Sequence, residues 1–135
     1  MSAHVKFRVN GEGYAVPVEQ VLQVAELSEL ATVPGASPAV LGVRNFRGQV
    51  LPVVDFAAVL GVERSGRPRR LVIAEYQGRR AGLAVDDVTD VGALAGGMHE
   101  SDSEYLVGTM PADGDVVRLV DLGRVFSAVQ VGAIG

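Results

Sequence analysis

Apolar and polar residues alternate from the start of the chain. Val5, Phe7 and Val9 fall at every second position, Asn10-Gly11-Glu12-Gly13 interrupts them, and Tyr14, Val16 and Val18 resume the alternation. Period-two runs on either side of an Asn/Gly turn predict a β-hairpin with one buried face. Pro17 has no N–H to give a ladder, which predicts an edge position or the end of that second strand. Residues 19–27 leave two choices open: a helical turn on Val18, Val21 and Leu22, or a further strand through Val24 and Leu27. Pro34 and Pro38 bracket a loop, and Ala39-Val40-Leu41 reads as a short helical turn. Residues 43–46 and 49–55 flank Arg47-Gly48 as a second hairpin. The run Val50, Leu51, Val53, Val54 predicts a strand buried on both faces or wrapped in a barrel. Residues 56–60 have helical spacing and stop at Gly61, a natural C-terminal cap. Residues 62–68, rich in charge with Gly and Pro, read as a linker.

Past the linker, Leu71 to Ala74 opens a strand, Gln77-Gly78 turns, and residues 83–85 return, with Val88 and Val91 following. Residues 96–104 read as irregular and polar, residues 116–122 as a strand, and residues 123–128 as a short helical end. Two stretches then prove to be variations on one pattern. GQVLPVVDFAAVL (48–60) and GDVVRLVDLGRVF (114–126) share Gly48/Gly114, Val50/Val116, Val54/Val120, Asp55/Asp121 and Val59/Val125, each pair 66 positions apart. Upstream, Val16/Leu83, Val18/Val85, Val21/Val88 and Val24/Val91 match 67 positions apart. A repeat of this length implies two similar lobes, expected at about 1–66 and 67–135. A lobe of ~60 residues buries too little surface to be robust alone, so the two should pack on each other and offer a groove for a partner.

Composition narrows the function classes. The chain has 135 residues, 48% of them hydrophobic, with a formal net charge of −4. A phosphate-backbone binder needs clustered Lys and Arg, which that balance disfavours. There is no cysteine, excluding disulfides and thiolate chemistry and suiting a reducing compartment. No apolar run approaches the roughly 20 residues that span a bilayer, and the amino terminus has no basic region leading into an apolar core. These features predict a cytoplasmic protein without membrane insertion. A start at Met1 and an end soon after the last predicted element suit a stand-alone protein, with a short tail closing in Gly132-Ala133-Ile134-Gly135.

Catalytic readings have little to build on, and no catalytic residue, cofactor or metal is expected. Of the two histidines, His4 is near a terminus and His99 in a polar loop. Asp86, Asp87 and Asp90 are spaced as turn-formers and solvated charges, lacking the ligand spacing of a calcium loop. Asp55 and Asp121, each before a short helix, read as N-caps accepting helix N–H bonds. No glycine motif opens a helix as a nucleotide cradle would. A nucleic-acid-binding OB-like barrel is the rival class. Arg64, Arg67, Arg69, Arg70, Arg79 and Arg80 cluster around the linker and the next turn, but Phe7, Tyr14 and Phe56 fall on apolar faces, where they cannot serve as a stacking platform.

Three segments carry a family resemblance. Leu41-Gly42-Val43-Arg44-Asn45-Phe46-Arg47-Gly48, continuing through Val50 to Asp55, resembles the signature segment of CheW-like domains. Residues 82–91 (GLAVDDVTDV) resemble their second signature, and Tyr105-Leu106-Val107-Gly108 with residues 116–121 their third. The resemblance implies an all-β fold of two small five-stranded barrels, SH3-like or OB-like, with short helical turns and no catalytic activity. It also implies two partners in chemotaxis-like two-component signalling: the cytoplasmic tip of a methyl-accepting chemoreceptor and the regulatory domain of a CheA-type histidine kinase. Carried onto matching positions, the receptor-binding groove would comprise Val21, Gln23, Gly42, Asn45, Arg47, Gly82 and Val88. Gly42 and Gly82 would let a helix approach the backbone, Val21 and Val88 would give apolar contact, and Arg47 would fork to carboxylates or helix-end carbonyls. Gln23 stands where many family members carry Glu. That departure, and the lack of any sharp kinase-facing motif, keep open a specialised CheW-like receptor adaptor that does not bind the kinase.

Overall fold

Val5, Phe7 and Val9 lie inward on β1 (Ala3–Val9) and pair with Val16, Tyr14 and Glu12 of β2 (Glu12–Pro17). A computed structural model describes residues 3–129 apart from Gly35, Ser65, Ala95 and Asp113, so the Gly132–Gly135 tail is outside the described residues. The turn between the strands puts Asn10 and Gly11 at φ 52° and 77°, and Arg47-Gly48 and Gln77-Gly78 repeat it at 51°/80° and 51°/77°. Two consecutive left-handed residues match the twist of a two-residue hairpin, which is why glycine takes the second position each time. Pro17 ends β2, which is a central strand, so strand end and not edge is the correct reading.

The ambiguous stretch resolves into both alternatives in series: a 3-10 turn at Val18–Gln20, then β3 (Val21–Glu26). The helical turn expected at 39–41 is absent. Val40 already opens β4 (Val40–Phe46) and pairs with Val54 of β5 (Gln49–Asp55), so ladder pairing overrides a weak local preference. Helix α1 (Phe56–Leu60) ends at Gly61 in the left-handed conformation, as expected. After the linker come β6 (Arg70–Tyr76), β7 (Arg79–Val85), β8 (Asp87–Ala93), β9 (Leu106–Ala112), β10 (Asp115–Val120) and α2 (Leu122–Ala128). Strand β9 has no clean alternation, because Gly108 and Pro111 interrupt it.

The strands form two five-stranded sheets, ordered β8-β1-β2-β10-β9 (lobe I) and β3-β6-β7-β5-β4 (lobe II). These lobes are not the sequence halves 1–66 and 67–135. Each takes its central hairpin from the opposite half: β1–β2 pairs in parallel with β10, and β6–β7 pairs in parallel with β5. The repeat survives the exchange in register, since Ala15↔Leu119 and Gly82↔Val53 are equivalent pairs. Each sheet also curls towards closure. Ala31 and Val43 exchange backbone bonds of 3.1 and 2.8 Å in lobe II, and His99 and Thr109 exchange two of 2.8 Å in lobe I.

Three apolar clusters follow from this exchange. The largest lies between the lobes and joins Phe7, Tyr14 and Val16 to Val54, Phe56, Leu83, Val85 and Phe126. Phe7 stacks on Tyr14 with centroids 5.9 Å apart, and Phe56 meets both edge-on at 5.4 and 5.2 Å. Inside lobe II a second cluster holds Phe46, Leu51, Val53, Leu71, Ile73 and Ala84. Inside lobe I the third has only Ala15, Val117 and Leu119 buried. Central strands β2 and β7 therefore serve two cores at once, Tyr14 and Val16 facing one and Ala15 the other. In the run at 50–54, Leu51, Val53 and Val54 are buried while Val50 is exposed.

The two repeated aspartates do different work. Asp121 caps α2, its Oδ1 accepting the Arg124 N–H at 3.1 Å. Asp55 does not cap α1; its buried carboxylate pairs with Arg64 at 3.1 Å, which ties the linker to the end of β5. An arginine within reach outcompetes a neutral N–H for a carboxylate, because both partners of that bond are charged.

Two outcomes follow. Residues 1–66 and 67–135 made as separate chains should each lack a folded β spectrum by circular dichroism, and mixing them should restore it; a stable 1–66 fragment would refute the exchange. Burial chiefly, helped by the Glu12 carboxylate and opposed by Arg118, pushes the Tyr14 hydroxyl up to about 12 from its ordinary 10.0. An acid whose folded pKa is raised loses stability as pH climbs past its unfolded value. Denaturant titrations should therefore show stability falling between pH 10 and 12 more steeply in the natural protein than in Tyr14→Phe.

Candidate functional site

Six of the seven residues expected at the groove lie in lobe II. Val21 and Gln23 stand on β3, Gly42 and Asn45 on β4, Arg47 at the β4–β5 turn and Gly82 on β7, while Val88 alone is on β8 of lobe I. Val21 and Val88 occupy equivalent places near the start of an edge strand, each half-buried against the cluster between the lobes. Gln23 is exposed beside Val24, which is 40% exposed. The end of β3 is drawn to β4 by Arg44, whose Nη1 donates to the Glu26 carbonyl at 3.0 Å. That contact and the Ala31–Val43 bridge bring β3 round towards the β4–β5 hairpin.

At the hairpin tip, Asn45 Oδ1 accepts the Gly48 N–H at 3.2 Å and holds the turn. The Arg47 guanidinium sits 4.7 Å from the centroid of Phe46, covering the mouth of the lobe II core while remaining exposed. A cation over an aromatic face is held in place yet keeps its N–H donors free to face outward. Arg80, close by, pairs with Glu75 and donates to Gln49 Oε1 at 3.1 Å. Of the cationic linker cluster, Arg64 pairs with Asp55 and Arg70 with Glu26, and the three core aromatics are buried. The stacking-plus-charge arrangement of a single-strand binder is not assembled from these residues.

The two glycines are packed against from within their own lobe. Both are buried, and each lacks a side chain because the lobe itself fills the space. A Cβ on Gly42 would lie 2.6 Å from the Ala31 carbonyl oxygen and 2.9 Å from Leu30 Cβ; on Gly82 it would lie 2.7 Å from Leu71 Cδ1. They admit the 30–31 segment and the Leu71 side chain, and so shape β4 and β7 from within. Among the aspartates read as turn-formers, Asp86 accepts the Asn10 N–H at 2.8 Å, Asp87 the Val88 N–H at 2.9 Å, and Asp90 lies 3.8 Å from Lys6.

Two clefts beside the helices are lined by none of the seven. One of about 750 Å³ lies against α2 and is framed by Tyr76, Arg79, Tyr105 and Arg124. A smaller one of about 280 Å³ runs between α1 and α2, with Ala39, Val59, Tyr105 and Ala128 on its walls. The Tyr105 hydroxyl is pushed up chiefly by its hydrogen bond to Glu104. Sequence reasoning missed this face because its residues come from β6–β7, the 104–105 segment and α2, which only the exchange of hairpins brings together. No helix among the described residues is long and apolar enough to cross a membrane.

Replacing a strand glycine whose neighbour is rigid backbone should be costly. Gly42→Ala should lower stability by about 1–3 kcal/mol, and Gly82→Ala by less, since the Leu71 side chain can turn aside. Thermal denaturation checks the order, and an unchanged Gly42→Ala would refute the packing role.

Comparison with known proteins adds the wider context. The CheW-like domain profile matches residues 3–130. Chemotaxis protein CheW of Rhizobium meliloti is 30% identical over 93% of this chain and 88% of its own length. Its counterpart in Bacillus subtilis is 35% identical over 83% of this chain and 70% of its own. Among solved structures, the scaffolding protein TtCheW of Thermoanaerobacter tengcongensis shares the fold with a TM-score of 0.84 at 24% identity, covering 93% of this chain and 87% of that one.

Proposed function

Because the chain belongs to the CheW-like domain family, we propose that it is a non-catalytic adaptor coupling chemoreceptors to a CheA-type histidine kinase in chemotaxis-like signalling. The observation that carries this reading is the family match across residues 3–130, which takes in both lobes and all three apolar clusters. A coupling protein works by holding two partners in fixed relation, and the architecture suits that task. The shared core between the lobes makes them one rigid piece, while exposed strand edges and hairpin tips recur on each.

The receptor tip is taken by the lobe II face, with the cytoplasm as the compartment where it meets the tip. Gln23, Asn45 and Arg47 supply exposed polar contact there, with Val21 and Val88 as apolar margins. Gly42 and Gly82 act indirectly, by setting the strands that carry those side chains. Arg47 is the residue of most consequence, because its guanidinium is oriented by Phe46 before any partner arrives and loses little freedom on binding.

Calorimetric titration with the regulatory domain of the host's CheA-type kinase and with a receptor-tip fragment tests the proposal. Both should bind, and neither should exclude the other. Arg47→Glu should weaken receptor-tip binding at least about tenfold, as removing an interface arginine often does. Kinase binding should be unaltered and stability should change by under about 1 kcal/mol. Unchanged receptor binding in Arg47→Glu would remove the lobe II face from consideration. Receptor binding without kinase binding would mark a specialised adaptor, and failure of both partners would end the coupling role while leaving the fold intact.

A further inference from the structure

The internal repeat lets each lobe be read against the other. Gly42 and Gly108 are equivalent, and each is covered at the same spot by a returning segment. A Cβ would lie 2.6 Å from the Ala31 carbonyl oxygen in one case and 2.7 Å from the His99 carbonyl oxygen in the other. Leu30 and Leu41 of lobe II thus correspond to Met98 and Val107 of lobe I. Here the equivalence stops. Leu30 and Leu41 pack against the lobe II core. Met98 and Val107 are 53% and 56% exposed, and the core they could have joined has only three buried residues.

The segment that joins this apolar pair carries charge of one sign. Glu100 and Asp102 lie exposed in the segment joining Met98 to Val107, which contains no Lys or Arg, while Glu104 turns to the cleft beside α2. Neither Glu100 nor Asp102 is ion-paired among the described residues. The edge of β9 is closed at its centre, where Thr109 spends both backbone groups on His99. Addition of a partner strand is blocked there, so docking must be led by side chains.

We infer that this face of lobe I is a docking surface for a cationic amphipathic helix of a protein partner. Apolar side chains of one helix face would cover Met98 and Val107, and flanking Lys or Arg would meet Glu100 and Asp102. Methionine suits such a surface because its unbranched thioether adapts to different apolar shapes. The inference does not rest on the coupling role, since it uses none of the residues assigned to the receptor face.

The test is a titration of the isotope-labelled full chain with a synthetic helical peptide carrying leucines at every third or fourth position and lysines on both flanks, followed by NMR. Saturable shifts should centre on residues 97–108. Met98→Ser with Val107→Ser should raise the Kd at least about fivefold by withdrawing apolar area. Glu100→Gln with Asp102→Asn should weaken binding and flatten its salt dependence. The control Val50→Ser with Val116→Ser, which removes exposed valines elsewhere, should bind as the natural chain does. Shifts centred on another face, equal weakening in the control, or a dimer of this chain that the Met98/Val107 variant abolishes would each overturn the inference.

Discussion

Two short parallel ladders, β2 against β10 and β5 against β7, decide where every other part of this molecule sits. Each joins a hairpin from one half of the chain to a strand from the other, so neither lobe can be completed locally. The exchange also places β2 and β7 between two apolar regions, which is why their residues are buried on both faces. The aromatic group of Phe7, Tyr14 and Phe56 then fills the space that the crossing leaves between the lobes. Rigidity of the whole derives from this shared interior more than from either lobe's own core.

Features governed by neighbouring residues were legible in the sequence. Asn10-Gly11, Arg47-Gly48 and Gln77-Gly78 announced hairpins because left-handed turns need such residues, and Gly61 announced the end of α1 for the same reason. The repeat announced two lobes but could not say which hairpin completes which. Equivalence of sequence is blind to pairing, and both arrangements give the same list of matched positions. Strand β9 was hidden by Gly108 and Pro111; Gly108 is there to admit the returning Met98–His99 segment. Asp55 and Asp121 looked alike because the pattern around them is alike; Arg64, in the linker after α1, separates their roles.

For the candidate site, the residue types were readable and their exposure was not. Gln23, Asn45 and Arg47 lie on the surface, where the family resemblance would use them. Gly42 and Gly82 lie inside, and their small size answers to Ala31, Leu30 and Leu71. A glycine that admits a partner and a glycine that admits its own chain are identical on paper. The same holds for valine at a groove margin and valine in a core, and Val21 and Val88 are half-buried against the shared cluster.

The interleaved order of strands also has a bearing on how the chain is made. Hairpin β1–β2 leaves the ribosome before the other described strands, yet its parallel partner β10 is the last of them. At roughly 5–20 residues per second, the hairpin waits on the order of ten seconds with Tyr14, Ala15 and Val16 lacking their final neighbours. Strand β5 waits only for the next hairpin, so lobe II can assemble well before lobe I. The described strands thus come together from the middle outward, with hairpin β1–β2 and strand β10 joining last.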